Sequence, residues 1–497
     1  MIPLSLRELA TLTGGSLHPD EPGTPGIVVS GPVVTDSREV GPGSLYVARV
    51  GEHTDGHRFV GAARAGGAVA ALTTRPVDEL PCVVVDDVQL AFGRIARGVL
   101  DGRQDLRVVA VTGSSGKTST KDLLAQVLGA AGETVAPVNS LNGEIGVPLT
   151  VCRVGVATRF LVVEMGARGI GHLAYLTSIA PPDVSIVLNV GSAHVGEFGS
   201  RANIATAKGE LVEALREDGV AILNADDPAV AAMASRTVAR VVTVGVSEPA
   251  DVTAANVQLD ALGRASFTLN GFGHPLPVRL RVSGAHQVGN ALAVVAAAVE
   301  CGMSPDDAVA ALDAAGPTSR WRMEVTERAD GVTVVNDAYN ANPDSMRAAL
   351  TALQDIADAA PPRRRTWAVL GEMLELGGES RAEHESLGRL TVALGVDRLV
   401  AVGEGARPVA DAAAVAKAAT AAKAATAARA ATAARPAPAV EVPGPDDEAS
   451  VWVPDADTAY ALLTDKLRRG DVVLLKSSRD AGLRWLGDRL VGLEVPQ

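Results

Sequence analysis

Val108-Val109-Ala110-Val111-Thr112-Gly113-Ser114-Ser115-Gly116-Lys117-Thr118-Ser119-Thr120 is the stretch that decides the fold. Arg107 to Val111 is a nearly unbroken apolar run, the pattern of a strand buried on both faces of a parallel sheet. Gly113-Ser114-Ser115-Gly116 breaks the run, and Lys117-Thr118 opens a segment in which Leu123, Leu124 and Val127 recur at helical spacing. Strand, glycine loop and helix start together make a phosphate cradle. The backbone N–H groups of Gly113 to Ser119 and the helix dipole face the anion, Lys117 reaches the outer phosphates, and the Thr118 hydroxyl binds Mg²⁺. The general pattern has a glycine at position 111, where this chain has Val111, so the match is to a shortened form. An ordinary Gly-Ser turn is the alternative.

Composition narrows the class. At 497 residues the chain exceeds a single core, and the length suggests about three domains. Apolar residues make up 47% and charged residues 21%, as in a globular protein. A net charge of −13, with no basic block beyond Arg363-Arg364-Arg365, argues against a nucleic-acid partner or adhesion to an anionic membrane. No apolar stretch reaches membrane-spanning length, and no secretory signal is read at Met1 to Leu9. Three dispersed cysteines without CxxC spacing argue against a disulfide framework and fit a reducing cytoplasm. Only seven of the 45 basic residues are lysines, so a lysine inside a motif marks a place where arginine would not serve. Lys117, Lys208 and Lys476 are such lysines.

Residues 106–316 read as alternating strands and helices, hence an α/β domain with a mostly parallel sheet. Strands are expected at Phe160 to Val163, Val184 to Asn189, Val220 to Asn224 and Arg240 to Val244. Ligands in such folds gather at the carboxyl ends of strands. Glu164 follows its strand directly, where a Mg²⁺ ligand belongs, although a helix-capping carboxylate reads the same. His194 in Asn189 to Glu197 is either a ligand or a hydrogen-bonded structural histidine. Lys208 in Ala205-Thr206-Ala207-Lys208-Gly209-Glu210 is either a surface lysine or an amine that reacts with CO₂ to give a carbamate, an anionic oxygen ligand that arginine cannot form. His286 and Asn290 are four apart at the start of an apolar helix, on one face that suits a flat heterocycle, or else a polar first turn.

Residues 1–105 carry short strand-like runs (Gly26 to Val29, Ser44 to Ala48, Cys82 to Val85) and two polar clusters. In the first, Ser37-Arg38 pairs a hydroxyl with a planar fork suited to a phosphate or a uracil, with a solvated turn as the alternative. Residues 317–497 alternate strand and helix again as a second, smaller doubly wound unit without a phosphate loop. An alanine-rich repeat of six at about 412–439 interrupts it. Six residues advance about 600° around a helix, so its charges mark no apolar stripe, and it is read as an exposed insertion.

Taken together, the motifs resemble the Mur ligase family, ATP-dependent amide-forming enzymes of peptidoglycan precursor synthesis. Thr112 to Thr118, Glu164-Met165-Gly166, Ala193-His194, Ala207-Lys208-Gly209-Glu210, His286 with Asn290, and Arg322 match in order over essentially the whole chain. Asp337-Ala338-Tyr339-Asn340-Ala341-Asn342-Pro343 and Leu370 to Gly377 are similar to the branch that joins D-alanyl-D-alanine to UDP-N-acetylmuramoyl-tripeptide. The chain departs from common family residues at Gly143, Gln287, Asn336, Ala338, Glu372 and Ser477, each flanking an expected ligand.

The resemblance implies three domains: a small α/β UDP-sugar-binding domain (1–105), a central P-loop ATPase domain (106–316) and a C-terminal Rossmann-like domain (317–497). It implies that Ser37 and Arg38 contact the UDP-sugar, with Asn142 near the phosphates. ATP lies on Gly113, Ser114, Ser115, Gly116, Lys117, Thr118 and Ser119, with His286 and Asn290 near the adenine. Thr118, Glu164, His194 and carbamylated Lys208 serve two Mg²⁺ ions. Arg322 reaches the phosphates, Asp337 the ribose, and Tyr339, Asn340 and Asn342 a dipeptide pocket. Lys117, Lys208, His194 and Arg322 carry the chemistry. The expected assembly is a cytoplasmic monomer with small-molecule partners. The competing readings are a ligase adding the third peptide residue, a P-loop kinase or NTPase switch, and an inactive homologue; the last would be expected to have lost Lys117 or Glu164.

Overall fold

The buried run Arg107–Thr112 lies inside a parallel sheet with spatial order Arg240–Gly245, Val220–Asn224, Val184–Val187, Arg107–Thr112, Phe160–Glu164, Thr134–Val135. Val109, Ala110 and Val111 are fully buried, as are Leu161, Val162 and Val163 beside them. Burial of a valine or leucine side chain contributes roughly 1.5–3 kcal/mol, so this double-faced apolar strand pair is a rigid platform for whatever its ends carry. The computed structural model describes residues 1–51, 54–191, 195–359, 361–432 and 450–494.

The described residues form two compact units, one of Met1–Val190, Ala205–Val252 and Ala291–Ala311, the other of Gly191–Ile204, Thr253–Asn290 and the chain from Leu312 onward. In the first unit, a five-stranded sheet with order Ser16–His18, Cys82–Val84, Ala68–Thr73, Ser44–Val47, Val33–Val34 precedes the parallel sheet. The strand expected at Gly26 to Val29 shrinks to Val28–Val29, which pairs with Leu4–Ser5 in a separate two-stranded sheet, because Thr24–Gly26 forms a 3-10 turn with proline in its first positions. Helix Leu6–Thr13 starts on a capping box between Ser5 and Glu8. Helix Val88–Asp101, capped by Asp87, packs on Gly146–Val151 and His172–Ile179.

The second unit contains a six-stranded sheet with order Glu324–Glu327, Thr333–Asn336, Val472–Lys476, Thr366–Leu370, Arg398–Val402, Ser450–Val453, parallel except for its first pair. Separate apolar cores lie on its two faces, one around Leu350, Leu353 and Leu474, the other around Val334, Val369 and Leu475. An antiparallel ladder of Val252–Leu259, Arg264–Asn270 and Leu276–Ser283 is an addition to the alternation expected from sequence. Its last strand buries Leu276, Val278 and Leu280 and exposes Arg279 and Arg281, a period-two signal that marks a half-buried strand.

The alanine-rich segment is helical from Arg407 to Thr432, and the helix begins before the repeat. Val409, Ala410 and Ala413 join the core, whereas residues 421–424 are exposed. Residues 433–439 of the insertion lie outside the described residues.

Candidate functional site

The glycine loop leaves the carboxyl end of Arg107–Thr112 and enters helix Lys117–Gly129. Gly113 and Gly116 have φ of 158° and 81°, and the second lies in the left-handed region that favours glycine. Asn189, just past the next strand, staples the loop. Its Oδ1 accepts the amides of Ser114 and Ser115, both at 2.9 Å, and its Nδ2 donates to Ser115 O at 3.2 Å. Lys117 Nζ donates to Gly113 O at 2.7 Å, arching over the loop. Two amides expected to face an anion are thus engaged with Asn189, a residue to which the sequence reading gave no role.

Glu164 ends the neighbouring strand in register with Val111, which brings its carboxylate to the loop. Thr118 Oγ1 donates to Glu164 Oε2 at 3.0 Å and lies 2.8 Å from Ser140 Oγ, and Asn142 Nδ2 donates to Glu164 Oε1 at 2.7 Å. Gly166 leaves room for this bond, since a Cβ there would lie a tight 3.1 Å from the Asn142 side chain. Glu164 is 1% exposed, and among the described residues its carboxylate is paired with neutral donors and with no cation. A buried carboxylate so placed wants a positive ion. The hard oxygen donors of Thr118 and Glu164 suit Mg²⁺. Among the described residues no three His, Cys, Asp or Glu side chains converge on one metal position, and His194, the expected imidazole ligand, lies outside them.

Lys208 sits on helix Arg201–Glu213 and is 5% exposed. Burial, and then the nearby Lys117 charge, holds its pKa well below that of an ordinary lysine. Burial of this kind favours the neutral, nucleophilic form of the amine. The residues around it explain the motif. Glu210 accepts from the amides of Gly171 (2.5 Å) and Ala174 (3.0 Å), tying the helix to the start of His172–Ile179. A Cβ at Gly209 would meet the Arg236 guanidinium, which donates to Ala205 O at 3.0 Å and Thr206 O at 2.9 Å across the same turn.

The N-terminal candidates are placed at a 3-10 turn, Ser37–Glu39, capped by Asp36. Arg38 is exposed and forms a fork with both carboxylate oxygens of Asp36, which lowers the Asp36 pKa to about 2. Ser37 is half-buried beside it.

In the second unit, Asp337 and Lys476 meet at the carboxyl ends of Thr333–Asn336 and Val472–Lys476. Lys476 Nζ donates to Asp337 Oδ2 at 2.6 Å and to Asn340 O at 2.9 Å, while Asp337 Oδ1 accepts the Met323 amide at 3.0 Å. Burial lowers the Lys476 pKa against the opposing pull of Asp337. The Arg322 guanidinium lies 4.2 Å from the centre of the Tyr339 ring. Asn340 is exposed, and its Oδ1 accepts the Ala341 amide at 2.9 Å. Asn342 caps helix Pro343–Asp358, its Oδ1 accepting from Ser345 N at 2.9 Å while Ser345 Oγ accepts from Asn342 N at 3.0 Å. Its side-chain oxygen is therefore committed to the helix.

His286 lies exposed in the turn immediately before the helix Gln287–Glu300, and Asn290 lies in that helix's first turn. Asn290 donates to Gln287 Oε1 at 2.9 Å. The sequence reading also missed His384, a buried residue that accepts the Met373 amide at 2.9 Å and donates to Ser380 O at 2.6 Å. It anchors the Leu370 to Gly377 loop.

Comparison with known proteins finds relatives along the whole chain. The Mur ligase middle domain matches residues 111–298, the Mur ligase glutamate ligase domain residues 321–479, and the Mur ligase family catalytic domain residues 32–92. A Mycobacterium tuberculosis protein named UDP-N-acetylmuramoyl-tripeptide–D-alanyl-D-alanine ligase is 46% identical over 517 aligned positions, covering 99% of this chain and 98% of the relative. A crystal structure of MurF from Acinetobacter baumannii superposes with a TM-score of 0.83 at 30% identity, covering 98% of this chain and 99% of that one. MurF from Thermotoga maritima, solved in complex with ADP, gives 0.74 at 27% identity over 92% and 96%.

Proposed function

Because the chain belongs to the Mur ligase family, we infer from its site which member's reaction it carries out: it is the ATP-dependent ligase that adds D-alanyl-D-alanine to UDP-N-acetylmuramoyl-tripeptide. The observation that carries the chemistry is the buried Thr118–Glu164–Asn142 cluster beside the Lys117 loop. A peptide carboxylate repels an amine and has no leaving group, so one of its oxygens attacks the γ-phosphorus of ATP, ADP departs, and an acyl phosphate forms. The amine of D-alanyl-D-alanine then adds to the acyl carbon, and collapse of the tetrahedral adduct expels phosphate and a proton. Lys117, in the loop, neutralises part of the phosphate charge that would repel the carboxylate.

Thr118, Glu164 and a carbamate on Lys208 are the residues we assign to two Mg²⁺ ions, together with His194. Bound Mg²⁺ supplies charge neutralisation between nucleotide and carboxylate. The carbamate forms when the neutral Lys208 amine bonds to the carbon of CO₂ and releases one proton; the lowered pKa of this buried lysine supports that step. Ser37 and Arg38 are assigned to the UDP-sugar, Ser119 with the rest of the loop to ATP, His286 and Asn290 to the adenine, and Arg322 to the phosphates. Asp337 is assigned to the ribose, and Tyr339, Asn340 and Asn342 to the dipeptide. We assign domain limits at about 105 and 316, an assignment supported by a separate sheet within each segment. No helix among the described residues is long and apolar enough to cross a membrane. Free cysteines and nucleotide-linked substrates support a cytoplasmic enzyme, which we assign as a monomer.

The mechanism is tested with tripeptide labelled with ¹⁸O in its terminal carboxylate. One labelled oxygen appears in the released phosphate if an acyl phosphate is cleaved at carbon; unlabelled phosphate would overturn the mechanism.

A further inference from the structure

Arg322 stands between two residues in the left-handed region, Trp321 at φ 58° and Met323 at φ 50°. Neither side chain tolerates that conformation easily. A turn so strained persists only where its surroundings over-determine it. The surroundings here do so. Trp321 N donates to Glu324 Oε2 at 3.0 Å, Trp321 O accepts the Tyr339 amide at 3.3 Å, and Met323 N donates to Asp337 Oδ1 at 3.0 Å.

The fourth tie comes from far along the chain. Asp488, on helix Leu483–Leu490, is 2% exposed and accepts the Trp321 indole N–H with both oxygens at 3.1 Å. It also accepts from Arg320 at 2.8 Å and lies 3.4 Å from Asn336 Nδ2, so its donors come from both sides of the turn. The adjacent Gly487 makes room, since a Cβ there would sit 2.2 Å from Asn336 Nδ2. The anchored indole stacks on Tyr339 with ring centres 6.5 Å apart and meets Trp485 edge-on at 5.0 Å. Tyr339 is the ring that Arg322 covers. The chain has only four Trp and four Tyr residues, and three of those eight meet here.

We propose that Asp488 is a positioning residue for phosphoryl transfer: by holding the Trp321 indole it maintains the strained turn that presents Arg322 on the Tyr339 ring. The proposal rests on the assignment of Arg322 to the ATP phosphates. Loss of the anchor leaves the guanidinium charged but lets the turn relax, so the cost falls on kcat and on KM for ATP.

The test is a kinetic double-mutant cycle on the full chain. Trp321→Phe removes the indole N–H and keeps the ring; Asp488→Ala removes the acceptor. Each lowers kcat on the order of tenfold, as misplacement of a reacting-site group does, while thermal melting verifies folding. In the Arg322→Ala background the same changes cost less than twofold, because the group they position is gone. Losses that multiply with Arg322→Ala, or a folded Trp321→Phe with full activity, would overturn the proposal. If Asp488→Ala does not fold, the Trp321→Phe cycle decides. If Arg322→Ala itself leaves the ATP parameters unchanged, the assignment of Arg322 fails and the proposal falls with it, a result distinct from failure of the anchor.

Discussion

Asn142 donates its side-chain amide to Glu164 at 2.7 Å, from a loop 22 residues earlier in the chain. That bond fixes one carboxylate oxygen while Thr118 lies 3.0 Å from the other. Outer-shell partners of this kind typically change metal affinity by about 10–100-fold. Asn142→Ala is therefore expected to raise the half-saturating Mg²⁺ concentration for ADP formation about tenfold, with folding intact. A magnesium titration identical to wild type would separate Asn142 from the metal site.

Lys208→Ala removes the proposed carbamate and is expected to abolish ligation. Short carboxylates such as acetate or formate restore part of the rate, since they supply the missing oxygen donors. Lys208→Arg is not restored by ambient CO₂, because a guanidinium does not carbamylate. Normal turnover by Lys208→Ala would remove the carbamate from the account.

The same lysine has a stability signature. Its folded pKa lies well below its unfolded value, so between the two the unfolded chain binds more protons, and folding gains stability as pH rises. Below the folded pKa the amine is charged in both states and the burial penalty is complete. Lys208→Met removes that penalty. In CO₂-free buffer the variant is expected to melt above the wild type, by a margin that grows as pH falls from the ordinary lysine range towards the lowered pKa and then levels off. A margin independent of pH would contradict the buried neutral amine.

Glu210 caps one helix while riding on another, through its bonds to the amides of Gly171 and Ala174. Glu210→Ala is expected to cost about 0.5–2 kcal/mol in denaturant unfolding, the range for loss of a helix cap. It also lowers activity by loosening the turn that carries Lys208. Unchanged stability would mean that the two amides find water instead.

The phosphate loop and the strands beside it are legible in the sequence because their signals are local. Arg107–Thr112 is a continuous apolar run closed by glycine, and Lys208 is conspicuous in a chain that otherwise uses arginine. What escapes is long-range. Asn189 reaches loop amides 74 and 75 residues away, and Asp488 reaches Trp321 across 167 residues. No periodicity encodes either pairing. Two local signals were readable and passed over. The Asn342-Pro343-Asp344-Ser345 sequence is a capping pattern, and Leu276–Ser283 alternates with period two.

The central claim is that ATP cleavage is coupled to joining a dipeptide to a peptide carboxylate. The most direct measurement follows phosphate release from ATP and Mg²⁺ with UDP-N-acetylmuramoyl-tripeptide, comparing D-alanyl-D-alanine with single amino acids. The account predicts stoichiometric phosphate and pentapeptide product with the dipeptide and little of either with single amino acids. Phosphate release indifferent to the amine, or ligation of a single amino acid in place of the dipeptide, would contradict it.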